Sequence, residues 1–272
     1  MKKHLLEQFP WRYEKLRPID TWYIPKNLVA TPCQPSFAFL DFYYRGNRFT
    51  DPINGKSYRS FLPYGYVKIR SNALSPGTLS LERHRLIWIY LQRETDFFKT
   101  SAKVLHMAPE KAFTARLSKL KHLAYTTCDL ESPLAEVKAN ICDLPFADAS
   151  FDWILCNHVL EHIPNDTKAM QELYRVLKPG GKALLQVPLE SNRAETFEDN
   201  SIIDKAERTK VFGQYDHVRV YGKDYFDKLR QTGFEVSEIQ FGKSLTEAER
   251  LRYAVTKDEY IPLCLRPIQD RK

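Results

Sequence analysis

From Lys103 onward, short apolar runs alternate with amphipathic stretches, the rhythm of strand followed by helix. Val104–Ala108 is an apolar run closed by a turn, Glu110–Lys121 has helical spacing, and His122–Thr127 reads as a second strand. Val137–Ile141, Phe151–Asn157 and Lys182–Val187 predict three more strands. Between the last two lies an amphipathic helix over Thr167–Leu177, which Lys178-Pro-Gly-Gly181 should stop in a turn. A helix over Lys223–Gln231, a strand over Phe234–Ile239 and a final edge strand over Tyr260–Leu265 complete the pattern. The expected fold class is α/β, a doubly wound and mostly parallel seven-stranded sheet. Residues 1–79 differ in texture. They are rich in Pro, Gly, Tyr and Phe, with short strands expected at Arg59–Leu62 and Tyr66–Ile69. They form a small N-terminal α+β extension in this reading, and residues 80–272 form the main domain. A lead-in helix over 80–95 joins the two, with Ser80 as N-cap and Leu81, Leu86, Ile89 and Tyr90 at helical spacing.

With 43% hydrophobic and 13% aromatic residues the chain can bury a substantial core. No apolar run approaches the roughly 18–20 residues of a membrane span. No apolar segment follows Met1-Lys2-Lys3-His4, so export is not expected. The five cysteines (33, 128, 142, 156 and 264) form no CxxC pair, which fits reduced thiols and a cytoplasmic location. The net charge is +7 and is uneven, because residues 1–100 hold 16 Lys/Arg against 8 Asp/Glu. RNA is therefore a possible partner of the N-terminal region. The charges are dispersed, however, which favours an ordinary solvated surface.

In open α/β sheets the ligand sits beyond the carboxyl ends of the strands, so the residues that end each strand carry the candidate chemistry. The first strand ends in His106-Met-Ala-Pro-Glu110. Ala108 allows close approach of backbone to a ligand, Pro109 suits a first helical position, and Glu110 complements a helix N-terminus. No GxGxxG is present, which weighs against a nicotinamide dinucleotide. About twenty residues on, Cys128-Asp129-Leu130 ends the second strand, where an acid accepts from ribose hydroxyls.

Three further segments occur in order. These are Leu144-Pro-Phe followed by Ser150-Phe-Asp, then Asn157-His-Val-Leu-Glu-His162, then Leu177-Lys-Pro-Gly-Gly181. Over roughly residues 100–265 this combination resembles the class I methyltransferase superfamily. In particular it resembles a bacterial branch whose first loop reads His-x-Ala-Pro-Glu in place of the usual glycine-rich loop. Phe212-Gly-Gln-Tyr-Asp-His-Val-Arg219 also recurs in that branch. The resemblance implies a Rossmann-like methyltransferase fold with S-adenosyl-L-methionine as cofactor. It places His106, Met107, Ala108 and Glu110 at the methionine part, Asp129 and Leu130 at the ribose, and Asn140 and Ile141 at the adenine. Asn157 and His158 would stand at the end of the fourth strand. Relatives place Asp where this chain has Asn140, a weaker acceptor. Relatives also carry two zinc-binding CxxC knuckles, and the matching positions here are Asp51, Asn54, Ser75 and Thr78. That set is poorly suited to zinc, so no metal is expected there.

The acceptor side is less determined. His158 and His217 are the candidate catalytic groups. Gln214, Tyr215, Asp216 and Arg219 are candidates for a substrate-facing lid within the long polar excursion 188–221. His158-Val-Leu-Glu161-His162 also matches the H-x-x-E-H pattern of certain zinc peptidases. That chemistry needs both histidines on one helix and a distant third ligand, whereas this motif begins at a strand end, so the expectation is that no metal binds. The favoured activity is methyl transfer to a small-molecule acceptor. An RNA methyltransferase and a catalytically silent binding module are the alternatives, and the oligomeric state is left open.

Overall fold

A computed structural model describes residues 37–65 and 69–268. The first elements are α1 (Phe37–Tyr43), β1 (Arg45–Thr50), β2 (Ser57–Tyr58), β3 (Leu62–Tyr64) and β4 (Arg70–Leu74), in which β1 pairs with β2 and β3 with β4. Most of the strand expected over Tyr66–Ile69 lies outside the described residues, and Arg59–Leu62 is replaced by the shorter strands on either side. The main domain runs α2 (Glu82–Glu94), β5 (Ala102–Met107), α3 (Lys111–Leu117), β6 (Leu123–Asp129), β7 (Val137–Lys138) and β8 (Phe151–Asn157). It continues with α4 (Asp166–Val176), β9 (Leu177–Gln186), β10 (Phe197–Glu198), α5 (Lys205–Phe212), β11 (Arg219–Val220) and α6 (Tyr225–Gln231). The last elements are β12 (Glu235–Ile239), α7 (Glu247–Tyr253) and β13 (Ile261–Leu265).

Seven strands form one sheet in the order β12-β13-β9-β8-β5-β6-β7, parallel except for β13. Alternate residues of the central strands enter two separate cores. Leu105, Met107, Ile154, Cys156, Ala183 and Leu185 face α4 and α6 on one side. Val104, Trp153, Leu155 and Leu184 face α2 and α3 on the other. A strand buried on both faces must be apolar at every position, which is why these runs showed no alternation in sequence.

Several expectations are corrected. β13 is not an edge strand, because it lies between β12 and β9, with Ile261 and Cys264 fully buried. The Pro-Gly-Gly segment does not stop the chain in a free turn. It bulges within β9, where pairing with β8 jumps from Leu177 to Lys182, and Gly180 takes the left-handed φ of 77° that this needs. The third strand shrinks to Val137–Lys138, since Asn140 turns back to bridge Asp143. The lead-in helix is capped at Leu81, whose N–H donates to His84 Nδ1 at 2.9 Å. Ser80 instead sends its hydroxyl to Asp51 Oδ2 at 3.2 Å.

That last contact belongs to a polar knot at the positions the resemblance matches to zinc knuckles. Asp51 is fully buried and accepts from Ile53 N at 2.9 Å and from the hydroxyls of Thr78 and Ser80. Asn54 donates to Tyr58 Oη at 3.0 Å. Hydrogen bonds thus join the two loops that thiolates and a metal would otherwise clamp.

Candidate active site

The strand order reverses between β5 and β8, and a crevice opens beyond their carboxyl ends. Both chains leave their strands in left-handed backbone without a glycine, Ala108 at φ 45° and His158 at φ 52°. Each such residue costs about 1–2 kcal/mol. The cost is met by ties to the neighbouring strands, Ala108 N to Cys128 O at 2.8 Å and His158 N to Gln186 O at 2.7 Å. Strain of this kind collects at functional sites.

Glu110 spans the crevice. Its carboxylate accepts from Asn157 Nδ2 at 3.2 Å, Arg83 Nη2 at 3.1 Å and His84 Nε2 at 2.5 Å. Because His84 Nδ1 already accepts the Leu81 N–H, the ring is neutral and Arg83 supplies the balancing charge. Burial by itself would raise the Glu110 carboxyl, but His84 and Arg83 hold it far below the usual carboxylate range. The helix α2 is therefore part of the site, which the sequence reading missed. No sequence signal singled out Arg83 or His84, which sit in the charged run Glu82–Arg85 at the start of the helix.

Buried polar atoms without partners gather at the same strand ends: His106 Nε2, Asn157 Oδ1, His158 Nε2 and Gln186 Oε1. Such atoms are rare unless something else satisfies them. His106 is fully buried, with Nδ1 held at 2.6 Å from Tyr125 Oη, and burial lowers its pKa to about 4. His106 faces α3 rather than the open crevice, since its ring lies 6.0 Å from that of Phe113. His158 is also kept neutral by burial, and it lines a cavity of about 610 Å³. The cavity runs past Val187–Ser191 to His217 and Thr256–Tyr260.

On the β6–β7 side, Asp129 Oδ1 accepts the N–H groups of Glu131 and Ser132 at 2.7 and 2.6 Å. Its second oxygen has no hydrogen bond among the described residues. Asn140 Oδ1 caps its own turn by accepting Cys142 N at 2.9 Å. Leu130 is exposed, whereas Met107 and Ile141 are buried in the core. These residues adjoin one another through the β6–β7 pairing but lie apart from the cavity lining.

The segment 212–219 divides. His217 lines the cavity, while Gln214 ties to Asp216 at 2.7 Å and Tyr215 is exposed. Arg219, a candidate lid residue, is among those lining the cavity, yet its side chain is 1% exposed and acts as a clasp. It donates to the carbonyls of Leu160, Ile163 and Pro164 on the turn after β8. A guanidinium is the side chain able to reach several carbonyls from one buried point.

Residues 95–185 match the methyltransferase domain family. Over this third of the chain, which spans β5 to β9, the protein carries a methyltransferase domain. Among relatives, it is 34% identical over 70 residues to the demethylmenaquinone methyltransferase of Listeria monocytogenes, covering 26% of this chain and 29% of that protein. It is 32% identical over 110 residues to the 2-phytyl-1,4-naphtoquinone methyltransferase of Trichormus variabilis, covering 36% and 48%. The matched stretches thus span less than half the length of these relatives. Among solved structures, the YcgJ protein of Bacillus subtilis is similar at a TM-score of 0.43 and 19% identity, covering 67% of this chain and 94% of that one. No described helix is long and apolar enough to cross a membrane.

Proposed function

We propose that the chain is a class I, S-adenosyl-L-methionine-dependent methyltransferase acting on a small-molecule acceptor, with the activity carried by residues 80–272. The observation that supports it is the crevice between β5 and β8, where two strained turns and unpartnered buried atoms gather at the strand ends and one of these residues, His158, lines a cavity the size of a small ligand. The residues suit the cofactor. Asp129 Oδ2 has acceptor capacity for ribose hydroxyls, Asn140 and Ile141 stand at the adenine end, and Asn157 Oδ1 is a buried acceptor for an amino group. The loop His106–Glu110 backs the methionine part. Bound S-adenosyl-L-methionine supplies an electrophilic methyl group. The protein's task is then to align the acceptor and, where the nucleophile carries a proton, to remove it. His158 is the proposed proton acceptor, because its neutral ring has Nε2 without a partner and lines the cavity. The two relatives named for quinone substrates agree with a small-molecule acceptor.

Calorimetry with S-adenosylhomocysteine tests the reading. Asp129→Ala should weaken binding by about 1.5–3 kcal/mol, the scale of a hydrogen bond to a charged group. Unchanged affinity would remove Asp129 from the ribose site. No binding by the wild type would favour a silent binding module. A salt-dependent shift with RNA fractions, together with methyl transfer to them, would replace the small-molecule acceptor by RNA.

A further inference from the structure

The turn after β8 carries Glu161, a residue 1% exposed whose two carboxylate oxygens accept no well-formed hydrogen bond among the described residues. A carboxylate buried without donors costs several kcal/mol unless a cation compensates it. Imidazoles surround it. His158 Nδ1 is 3.3 Å from Oε1 and His162 Nε2 is 3.9 Å from it, while the His217 ring meets that of His162 edge-on at 4.7 Å. One ligand atom from each of Glu161, His162 and His217 lies within 4.8 Å of the others.

The tautomers decide what these rings offer. His162 Nδ1 is 3.2 Å from the carbonyl of Asp216 and 3.4 Å from its carboxylate, and His217 Nδ1 is 3.3 Å from the carbonyl of Phe212. A carbonyl oxygen only accepts, so Nδ1 carries the proton in both rings and Nε2 is left with a lone pair. His162 and His217 therefore turn acceptors toward Glu161, and the donor within reach, His158 Nδ1 at 3.3 Å, belongs to a neutral ring that brings no charge to balance the carboxylate. Outer hydrogen bonds from Nδ1 to carbonyl or carboxylate are the usual support of metal-bound histidine.

We propose that Glu161, His162 and His217 bind a zinc ion. Two imidazoles and one carboxylate are zinc ligands, whereas magnesium and calcium prefer oxygen alone. A tetrahedral ion with bonds of about 2.0–2.2 Å sets its ligands roughly 3.3–3.6 Å apart, so the three side chains close by about an ångström. Of the three ligands His217 also lines the cavity, beside His158, and the fourth position is left for a water or an acceptor oxygen. The ligand set differs from the H-x-x-E-H peptidase pattern, since His158 is not a ligand and Glu161 is. Zinc binding here does not depend on methyl transfer, and the two readings fail separately.

The test uses the full chain, stripped with chelator, desalted, and titrated with zinc chloride by calorimetry and with cobalt(II) by absorption. The expected result is one zinc per chain, a raised melting temperature, and cobalt d–d bands without thiolate charge transfer. Glu161→Gln and His217→Gln should each weaken zinc by at least about 100-fold, beyond the 10–100-fold typical of losing an outer-shell partner. Glu161→Gln removes an uncompensated charge, so its metal-free form should melt no lower than metal-free wild type and serves as the folded control. Absence of zinc uptake, full uptake by Glu161→Gln, or a thiolate band with cobalt would each overturn the site.

Discussion

Replacing Arg219 with methionine isolates what its guanidinium does, because methionine keeps most of the apolar stem and volume. Nη1 and Nη2 donate to Leu160 O at 3.0 Å, Ile163 O at 2.5 Å and Pro164 O at 2.9 Å. Nε donates to Glu198 Oε2 at 2.9 Å, and Asp166 Oδ2 lies 3.6 Å away. Removal leaves three carbonyls without this donor and leaves Asp166 with Tyr221 Oη, at 2.7 Å, as its remaining close partner. Glu198 is about a third exposed and can rehydrate, so its share is small. The buried part, a charge stripped of its partner plus lost carbonyl bonds, should cost about 3–5 kcal/mol. At 2–4 °C per kcal/mol for a chain of this size, melting should fall by roughly 6–20 °C. Arg219→Lys keeps the charge but concentrates the donors at one point, and should recover less than half of the loss. Urea denaturation gives the energies, and hydrogen exchange should show protection lost over residues 158–166. A methionine variant within about 1 kcal/mol of wild type, or one destabilised with that turn still protected, would refute the clasp.

Asp51→Ala should destabilise the chain by about 1–3 kcal/mol by leaving Ile53 N–H and two hydroxyls unpaired in the knot, and an unchanged urea midpoint would show that the knot contributes nothing. His106 has its folded pKa lowered from the ordinary 6.5 to about 4, so its contribution is present above pH 6.5 and is lost as pH falls toward 4. Stability should therefore drop by up to about 3 kcal/mol across that window. A His106→Gln variant should lack that part of the slope, and identical pH profiles for the two proteins would contradict the assignment.

The sheet was legible because burial on both faces leaves long apolar runs, and these are the strongest short signals a parallel strand can give. Its edges were less so. Tyr260–Leu265 reads the same whether it pairs on one side or two, and the partner that decides it, β12, reverses nothing visible in sequence. The Pro-Gly-Gly segment was misplaced because a bulge and a turn ask for the same left-handed glycine. At the site, strand-end residues such as Asn157 and His158 could be named from position alone. The grip of Arg83 and His84 on Glu110 could not, since it joins elements 26 or 27 residues apart through side chains. The clasp of Arg219 was not legible, because a polar excursion looks solvent-facing until its carbonyl acceptors are known.

The absence of glycine from the first loop has a structural counterpart elsewhere. A glycine at position 108 would adopt φ 45° freely, whereas alanine needs the turn held in place. The hold comes from Glu110, pinned by donors on two elements, α2 and the end of β8. The helix α2 is in turn locked by Arg85, which is fully buried and donates to the carbonyls of Ala73, Ser80, Tyr253 and Ala254. Ser80 belongs to the Asp51 knot. A continuous set of hydrogen bonds thus runs from the Asp51 knot through α2 to the turn that faces the proposed cofactor. The N-terminal region supports the loop mechanically, and rigidity that glycine-rich loops obtain from backbone contacts is supplied here by a buried carboxylate and its three donors.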